Sequence, residues 1–501
     1  MRREAYALPV QLFRITTGLL AAAYFLRLLA EVRDFSASDG LIDHALVQAV
    51  YPETRISLFQ AGTPTAPITL ALVIALGATM GVVLGWRSKV CAAVALAVAA
   101  STYRWNFIVM YLDDAVVHLL LFWVLLLPMG PSSGLVALLR DPRGTLARWS
   151  TVTVPGTAVT CLKLNVALMY VIAGLWKFDS PLWRSGYGLY ASLRLPVAAM
   201  PDVWGPEHVA MLRLANWMVM AAEPFMVLPL LLRPGHPLKT IGGVLFTAFH
   251  LFILVTLGLP FAMLGLLSTS IIFFGPEITA RVARWTGAPA PPVLVTAPSL
   301  TRSGRLAIAF IVVLALATTR RIPVVGALNV PAYGVLWMVG VAQDYRLFNW
   351  IDRVNFDVDT EIVEVRADGV TVPVTERARY PSSFRSKLLL AYLHDIRWLR
   401  LPRKDRLRMR TSIAERLAPW YCRNNPGDAT VRLTSDVFRL VPSGRRFAYR
   451  LMVAEFECRA GAARVKRTLD AASPPNGTQA RAPRTTAPPR SLSSPRGTPR
   501  R

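Results

Sequence analysis

Nine apolar runs of bilayer-spanning length occupy the first two thirds of the chain, and they limit what it can fold into. They fall at about 9–30, 66–86, 89–104, 106–128, 160–176, 211–232, 238–257, 259–275 and 304–320. In hydrocarbon every backbone polar group must be satisfied within the protein, which leaves helices or a closed barrel. The runs are continuous and rich in Leu, Ala and Val, whereas barrel strands are short and alternate in polarity. Charged residues make up 17% of the chain, against about a quarter in soluble domains. A soluble enzyme, a disulfide-rich secreted scaffold and a disordered chain are thereby excluded. The expected fold is an α-helical polytopic membrane protein of about nine spans, with its first span retained rather than cleaved as a signal peptide.

A formal net charge of +26 raises the question of nucleic acid. The arginines collect in short loops between apolar runs and in the last third of the chain. None of those stretches carries the interleaved aromatics or zinc-ligand spacing of a nucleic-acid module, so no nucleic-acid partner is expected. With the N-terminus inside, alternate loops hold fourteen Lys and Arg on the inner side against six on the outer. The outer loops are further diluted by Glu31, Asp34, Asp39, Asp43 and Glu53. That asymmetry predicts a cytoplasmic N-terminus in a cell membrane, and with nine spans the C-terminal region lies outside.

Residues 321–345 are apolar but broken by Pro323, Pro331 and several glycines, which suits an interfacial or re-entrant segment and leaves a tenth span open. From about 349 the pattern turns soluble. Two strands flank the turn Asp368-Gly369, two helices follow within 382–423, and a hairpin spans 437–458. The expected domains are a membrane core at 1–280, a further span with an interfacial segment at 281–348, and a small extracytoplasmic α+β domain at 349–470. Residues 471–501, rich in Arg, Pro and Ser without an acid, form a tail that cannot bury a core. Cys422 and Cys458 both fall in the α+β domain, where an extracytoplasmic location permits a disulfide. Two free buried thiols are the alternative, and the four cysteines are too scattered for a metal cluster.

Ionisable residues inside spans are costly unless paired or functional. Glu223 and His250 each sit near the middle of a run. Asp114 and His118 are four apart and share a helical face, so they can meet as a proton relay or as a structural polar pair. Lys177 closes the run that begins near Cys161. It is either a snorkelling lysine or a desolvated amine able to act as a base. Trp176, Trp183, Tyr187, Tyr190, Trp204 and Trp217 cluster near the outer ends of two runs, as an aromatic belt or as a lipid-facing mouth for a quinone or isoprenoid. No glycine-rich phosphate loop, GxGxxG, HExxH or GxSxG is present.

The segment Tyr170-Val171-Ile172-Ala173-Gly174-Leu175-Trp176-Lys177-Phe178-Asp179, with Trp183 and Gly186 after it, resembles vitamin K-dependent gamma-carboxylases. It equally resembles their bacterial relatives, the horizontally transferred transmembrane (HTTM) proteins. Phe249-His250 in a downstream span, a preceding span bearing Glu223, and the span beginning Trp105-Asn106 extend the resemblance over roughly residues 5–280. It implies that Lys177 is a base acting on a reduced quinone such as vitamin K hydroquinone or menaquinol, with O2 and CO2 as co-reactants. On that reading His118, Asp114 and His250 assist, and Trp176, Trp183, Gly186, Tyr187 and Glu223 line the pocket. The family's second catalytic residue, a histidine after the fourth span, has no counterpart in the stretch MGPSSGLVALL.

A second resemblance is carried by Ala342-Gln343-Asp344-Tyr345-Arg346-Leu347-Phe348. This stretch is similar to the start of the soluble partner of a bacterial HTTM protein that matures a sporulation-delaying peptide toxin. It implies a secreted peptide or protein client, alongside membrane lipid. Two functions follow as expectations: base chemistry on a quinone-like cofactor during maturation of that client, or a non-enzymatic scaffold for its maturation or export. A proton-coupled transporter using Glu223 and His250 ranks third, since no internal repeat is evident.

Overall fold

The computed structural model describes residues 4–130, 134–195, 198–295, 300–318, 323–342, 356–365, 368–373, 383–392, 402–425, 427–441 and 444–468. The tail at 471–501 and residues 343–348 of the partner-like segment lie outside the described residues.

The apolar runs fold as helices wherever proline and polar clusters do not intervene. These are α1 (Ala7–Ala30), α2 (Thr65–Leu84), α3 (Ser88–Trp105), α4 (Leu112–Leu126), α5 (Thr157–Phe178), α6 (Val209–Ala222), α7 (Pro237–Leu257), α8 (Pro260–Ser268), α9 (Gly275–Thr286), α10 (Arg302–Thr318) and α11 (Pro323–Val339). Among the described residues five helices are long and apolar enough to cross a bilayer, or six if the bent pair Pro260–Phe273 and Gly275–Thr286 is one span. The protein is therefore a mainly helical one that embeds in a membrane, with a small sheet at its C-terminal end. The run at 106–128 becomes a shorter helix than expected. Residues 107–109 form a tight turn, and a capping box between Tyr111 and Asp114 starts α4 only at Leu112. In the run at 211–232, Pro224 lacks the N–H a continuing helix needs, so α6 ends at Ala222 and passes into a 3-10 turn at Glu223–Phe225.

Strand β1 (Glu4–Tyr6) pairs antiparallel with β2 (Thr153–Pro155). Each strand leads directly into a helix of spanning length, so α1 and α5 start at the same face of the core. Their far ends, Ala30 and Lys177, therefore share the opposite face. Helix α10 starts beside the start of α5, with Gly304 against Thr157, and so also ends toward that far face. Asn329 of α11 donates to the carbonyls of Leu316 and Ala317 in the last turn of α10. Arg104 in the last turn of α3 donates to Trp337 and Met338. Helix α11 is thus held at the far face at both points.

The C-terminal residues build a five-stranded antiparallel sheet in the order β4-β3-β5-β6-β7, from β3 (Phe356–Val365), β4 (Thr371–Pro373), β5 (Ala429–Val441), β6 (Gly444–Arg459) and β7 (Ala462–Thr468). Helices α12 (Phe384–Tyr392) and α13 (Arg403–Asn424) accompany it. A disulfide joins Cys422 of α13 to Cys458 of β6. The core of this unit continues into the loops of the membrane core: Phe35, Ile42, Val47 and Ile108 are buried in one cluster with Leu389, Leu417 and Trp420. The acids of the first loop meet basic and polar groups of the sheet unit. Trp420 Nε1 donates to Asp34 Oδ1 at 2.9 Å, Arg416 lies 3.9 Å from Asp43, and Arg423 lies 3.8 Å from Asp39.

Candidate functional site

The site begins with a close approach that only glycine allows. A Cβ at Gly174 of α5 would lie 2.4 Å from Pro224 Cγ, far inside van der Waals contact. Its absence lets the Glu223-Pro224 turn settle against α5, one helical turn below Lys177. Lys177 Nζ then stands 2.6 Å from Glu223 Oε2, and each side chain is 4% exposed. The pair is buried, so the snorkelling arrangement open to Lys177 in the sequence is not the one adopted.

Trp183 closes one side, with the Lys177 ammonium 5.1 Å from the centre of its ring, within cation–π range. The loop bearing Trp183 is fastened by its own cap and by a neighbouring helix. Ser180 Oγ accepts from Trp183 N at 3.2 Å. Asn216 of α6 donates through Nδ2 to the Trp183 carbonyl at 2.9 Å and accepts through Oδ1 from Leu189 N at 3.0 Å. Asn216 has no distinctive spacing in the sequence; what marks it is a lone amide in an apolar helix.

Two turns before Lys177 on the same face of α5, the Tyr170 hydroxyl meets His250 Nε2. His250 Nδ1 is 2.6 Å from the Phe246 carbonyl oxygen, which can only accept, so Nδ1 carries the proton. In the neutral ring Nε2 is then the acceptor, and the Tyr170 hydroxyl donates to it. Tyr170 stood inside the Tyr170–Asp179 segment without an assigned role, although its spacing of seven from Lys177 places both on one helical stripe.

These groups line one cavity of about 100 Å3. Lys177, Glu223, Trp183, Tyr170 and His250 are on its walls, and the rest of the lining is mostly Leu, Met, Phe, Val and Ile, with Ser192 and Thr256 as hydroxyl bearers. Phe252 of α7 lines the cavity and is 39% exposed on the outer surface. The Trp204 ring lies edge-on to Phe252, 6.4 Å between centres.

The other expected residues lie elsewhere. Asp114 and His118 share a face of α4 but do not pair. Asp114 Oδ1 accepts from Tyr24 at 2.7 Å and from Arg385 at 2.7 Å, and Oδ2 accepts from Tyr111 N at 2.9 Å. His118 Nδ1 instead donates to the Gly340 carbonyl at 3.1 Å. An Asp114–His118 relay is therefore not formed, because the carboxylate lies in the first turn of its helix and is taken up by capping and by Arg385. Trp176, Gly186 and Tyr187 are also off the cavity wall. Gly186 turns the chain at φ +88° beside Arg213, and the Arg213 guanidinium sits 5.3 Å over the Tyr187 ring.

Among the described residues no cluster of three or more His, Cys, Asp or Glu could hold a metal. No family model, curated protein or solved structure matches the chain.

Proposed function

We propose that the chain is an integral membrane protein that takes a lipid-soluble, hydroxyl-bearing ring into the Lys177 cavity and uses the lysine as a base on it. The observation that carries this reading is the Lys177–Glu223 pair, buried on the wall of an otherwise apolar cavity that also holds the Tyr170–His250 pair. The donor set suits the quinol class that the family resemblance implies, with one cationic group, one neutral hydroxyl–imidazole pair and apolar walls for a ring. A hydroquinone, when bound, supplies an acidic hydroxyl and reducing equivalents for oxygen.

The protein's part is proton handling. In the proposed step one proton passes from Lys177 Nζ to Glu223 Oε2 across their 2.6 Å contact, which leaves both groups neutral. The neutral amine is the form able to accept a proton from a hydroxyl held in the cavity. The pair has then gained one proton, with Glu223 neutral and the Lys177 ammonium facing the cavity. Trp183 and Asn216 keep the amine in place, and the apolar walls exclude water, which strengthens each of these interactions.

The client of the reaction would be a secreted peptide or protein met at the far face, where the sheet unit sits. The disulfide between Cys422 and Cys458 supports an extracytoplasmic position for that face, and the Lys and Arg asymmetry supports a cytoplasmic N-terminus in a bacterial cell membrane. A scaffold without chemistry is the second reading, favoured by the continuous core shared by the sheet unit and the membrane loops. The two separate in one experiment on purified protein in nanodiscs with menaquinol or vitamin K hydroquinone under oxygen, following epoxide formation. Epoxide made by wild type and lost in Lys177→Arg, which keeps the charge but cannot serve as a base, supports the enzyme. No lysine-dependent product, with host extract added as a source of client, leaves the scaffold.

A further inference from the structure

We propose that the face of the membrane core opposite the sheet unit carries a platform that docks on anionic phospholipid headgroups. It is independent of what the cavity binds. The platform comprises two short helices at Leu135–Arg140 and Pro142–Thr151, together with α9. Its inner side is apolar, with Leu146, Ile278 and Val282 packed around Trp149 and Leu8 at the start of α1. That places it where the spans leave the bilayer.

Helix α9 turns 71° away from the segment before it, so it runs nearly across the direction of the spans. Its outer side combines Trp285, 58% exposed, with Arg281 and Arg284, both exposed. The neighbouring short helices add Leu139, 71% exposed, and exposed Arg140, Arg143 and Arg148. The Arg143 guanidinium lies 5.7 Å over the Trp285 ring, which ties the two halves of the surface together. Tryptophan and leucine beside arginine on a helix in the membrane plane are the composition of an interfacial anchor. Guanidinium forks match phosphate oxygens.

The carboxylates present do not oppose an anionic partner strongly. Glu277 is neutralised by Lys239, whose Nζ lies 2.7 Å from Oε1, and that bond also fixes α9 to the first turn of α7. Asp141 is directed to the backbone N–H of Gly144 at 2.9 Å. Five arginines therefore stand against one carboxylate that lacks a cationic partner. That excess selects an anionic leaflet over a zwitterionic one.

The test uses the full chain in nanodiscs of phosphatidylcholine alone or with one quarter phosphatidylglycerol. Cys91 and Cys161 are buried and Cys422 is bridged to Cys458, so a spin label on Leu139→Cys reports the platform selectively. The label should be reached by oxygen more than by a water-soluble nickel chelate, and more so with phosphatidylglycerol present. Enrichment of phosphatidylglycerol among lipids retained by the wild-type protein should fall roughly fivefold or more when Arg140, Arg143, Arg281 and Arg284 are all replaced by Gln. If that variant fails to fold, the wild-type enrichment must instead fall as salt is raised from about 0.1 to 1 M. A label open to the nickel chelate in both lipids would overturn the proposal and point to a soluble partner. Enrichment indifferent to both salt and arginines would overturn it as well.

Discussion

Arg385, carried by the first helix of the sheet unit, donates through Nη2 to Asp114 of the membrane core at 2.7 Å and through Nη1 to Glu31 at 2.8 Å. The arginine is 1% exposed and the aspartate fully buried. The sheet unit is therefore plugged into the end of the core by a buried charge, in addition to the apolar cluster around Trp420. Removing one partner of a buried pair leaves the other uncompensated, at a cost of about 3–5 kcal/mol. Arg385→Ala should lower the thermal midpoint of the purified protein by several degrees and expose the sheet unit to limited proteolysis. Arg385→Lys should recover only part, since one ammonium cannot reproduce the two-pronged contact. Unchanged melting and proteolysis in Arg385→Ala would show that the apolar cluster alone joins the two parts.

The Lys177–Glu223 pair separates stability from chemistry. Lys177→Met alone strands Glu223 in an apolar cavity and should destabilise the protein by about 3–5 kcal/mol, while Lys177→Met with Glu223→Met should regain most of that loss. Neither variant should turn over a hydroquinone. Melting temperature and turnover measured on the single and double variants decide the matter. A double variant as unstable as the single one would mean that packing, rather than unpaired charge, sets the cost.

The apolar runs were legible because a span must satisfy its own backbone, which writes itself into sequence as long uncharged stretches. Lys177, Glu223, His250 and Trp183 were legible as separate candidates for the same reason, since polar groups stand out against lipid-soluble neighbours. Their convergence was not. Glu223 reaches Lys177 through the Pro224 turn and the gap at Gly174, and neither leaves a periodic trace. The spacing of Asp114 and His118 reported a shared face only. It could not show that Asp114 starts its helix and is held by Arg385, 271 residues away in sequence. Trp176, Gly186 and Tyr187 shared a segment with Lys177 but lie off the cavity wall, Gly186 at a turn beside Arg213 and Tyr187 under its guanidinium.

Gly174 should tolerate nothing larger. A methyl group there meets Pro224 at 2.4 Å, and proline cannot rotate away, so Gly174→Ala must push the Glu223 turn off α5. Overpacking of this kind costs roughly 1–3 kcal/mol. The Lys177–Glu223 distance should lengthen, and hydroquinone turnover should drop more than stability does. Retention of full turnover in a folded Gly174→Ala protein would argue that the close approach serves helix packing alone.

His44 gives the extramembrane part a pH dependence. It lies in the loop after α1, stacked on Trp105 at 3.9 Å, with Nε2 donating to Asn106 Oδ1 at 3.1 Å. Asp43 and Arg416 are its nearest charges, and burial, the largest effect, pushes its pKa down from 6.5 to about 4. The native state thus holds His44 neutral while the unfolded chain protonates it near 6.5. Between those values the unfolded state binds the extra proton, so stability falls as pH drops below about 6.5 and stops falling near 4. The full loss is on the order of 3 kcal/mol. His44→Gln should be less stable than wild type at pH 7.5, because it forfeits the stack on Trp105. The gap between the two should narrow as the pH is taken to 5. Melting curves of both proteins in nanodiscs at pH 7.5, 6.0 and 5.0 provide the comparison, and a gap that stays constant would show that His44 is not the source of any acid sensitivity.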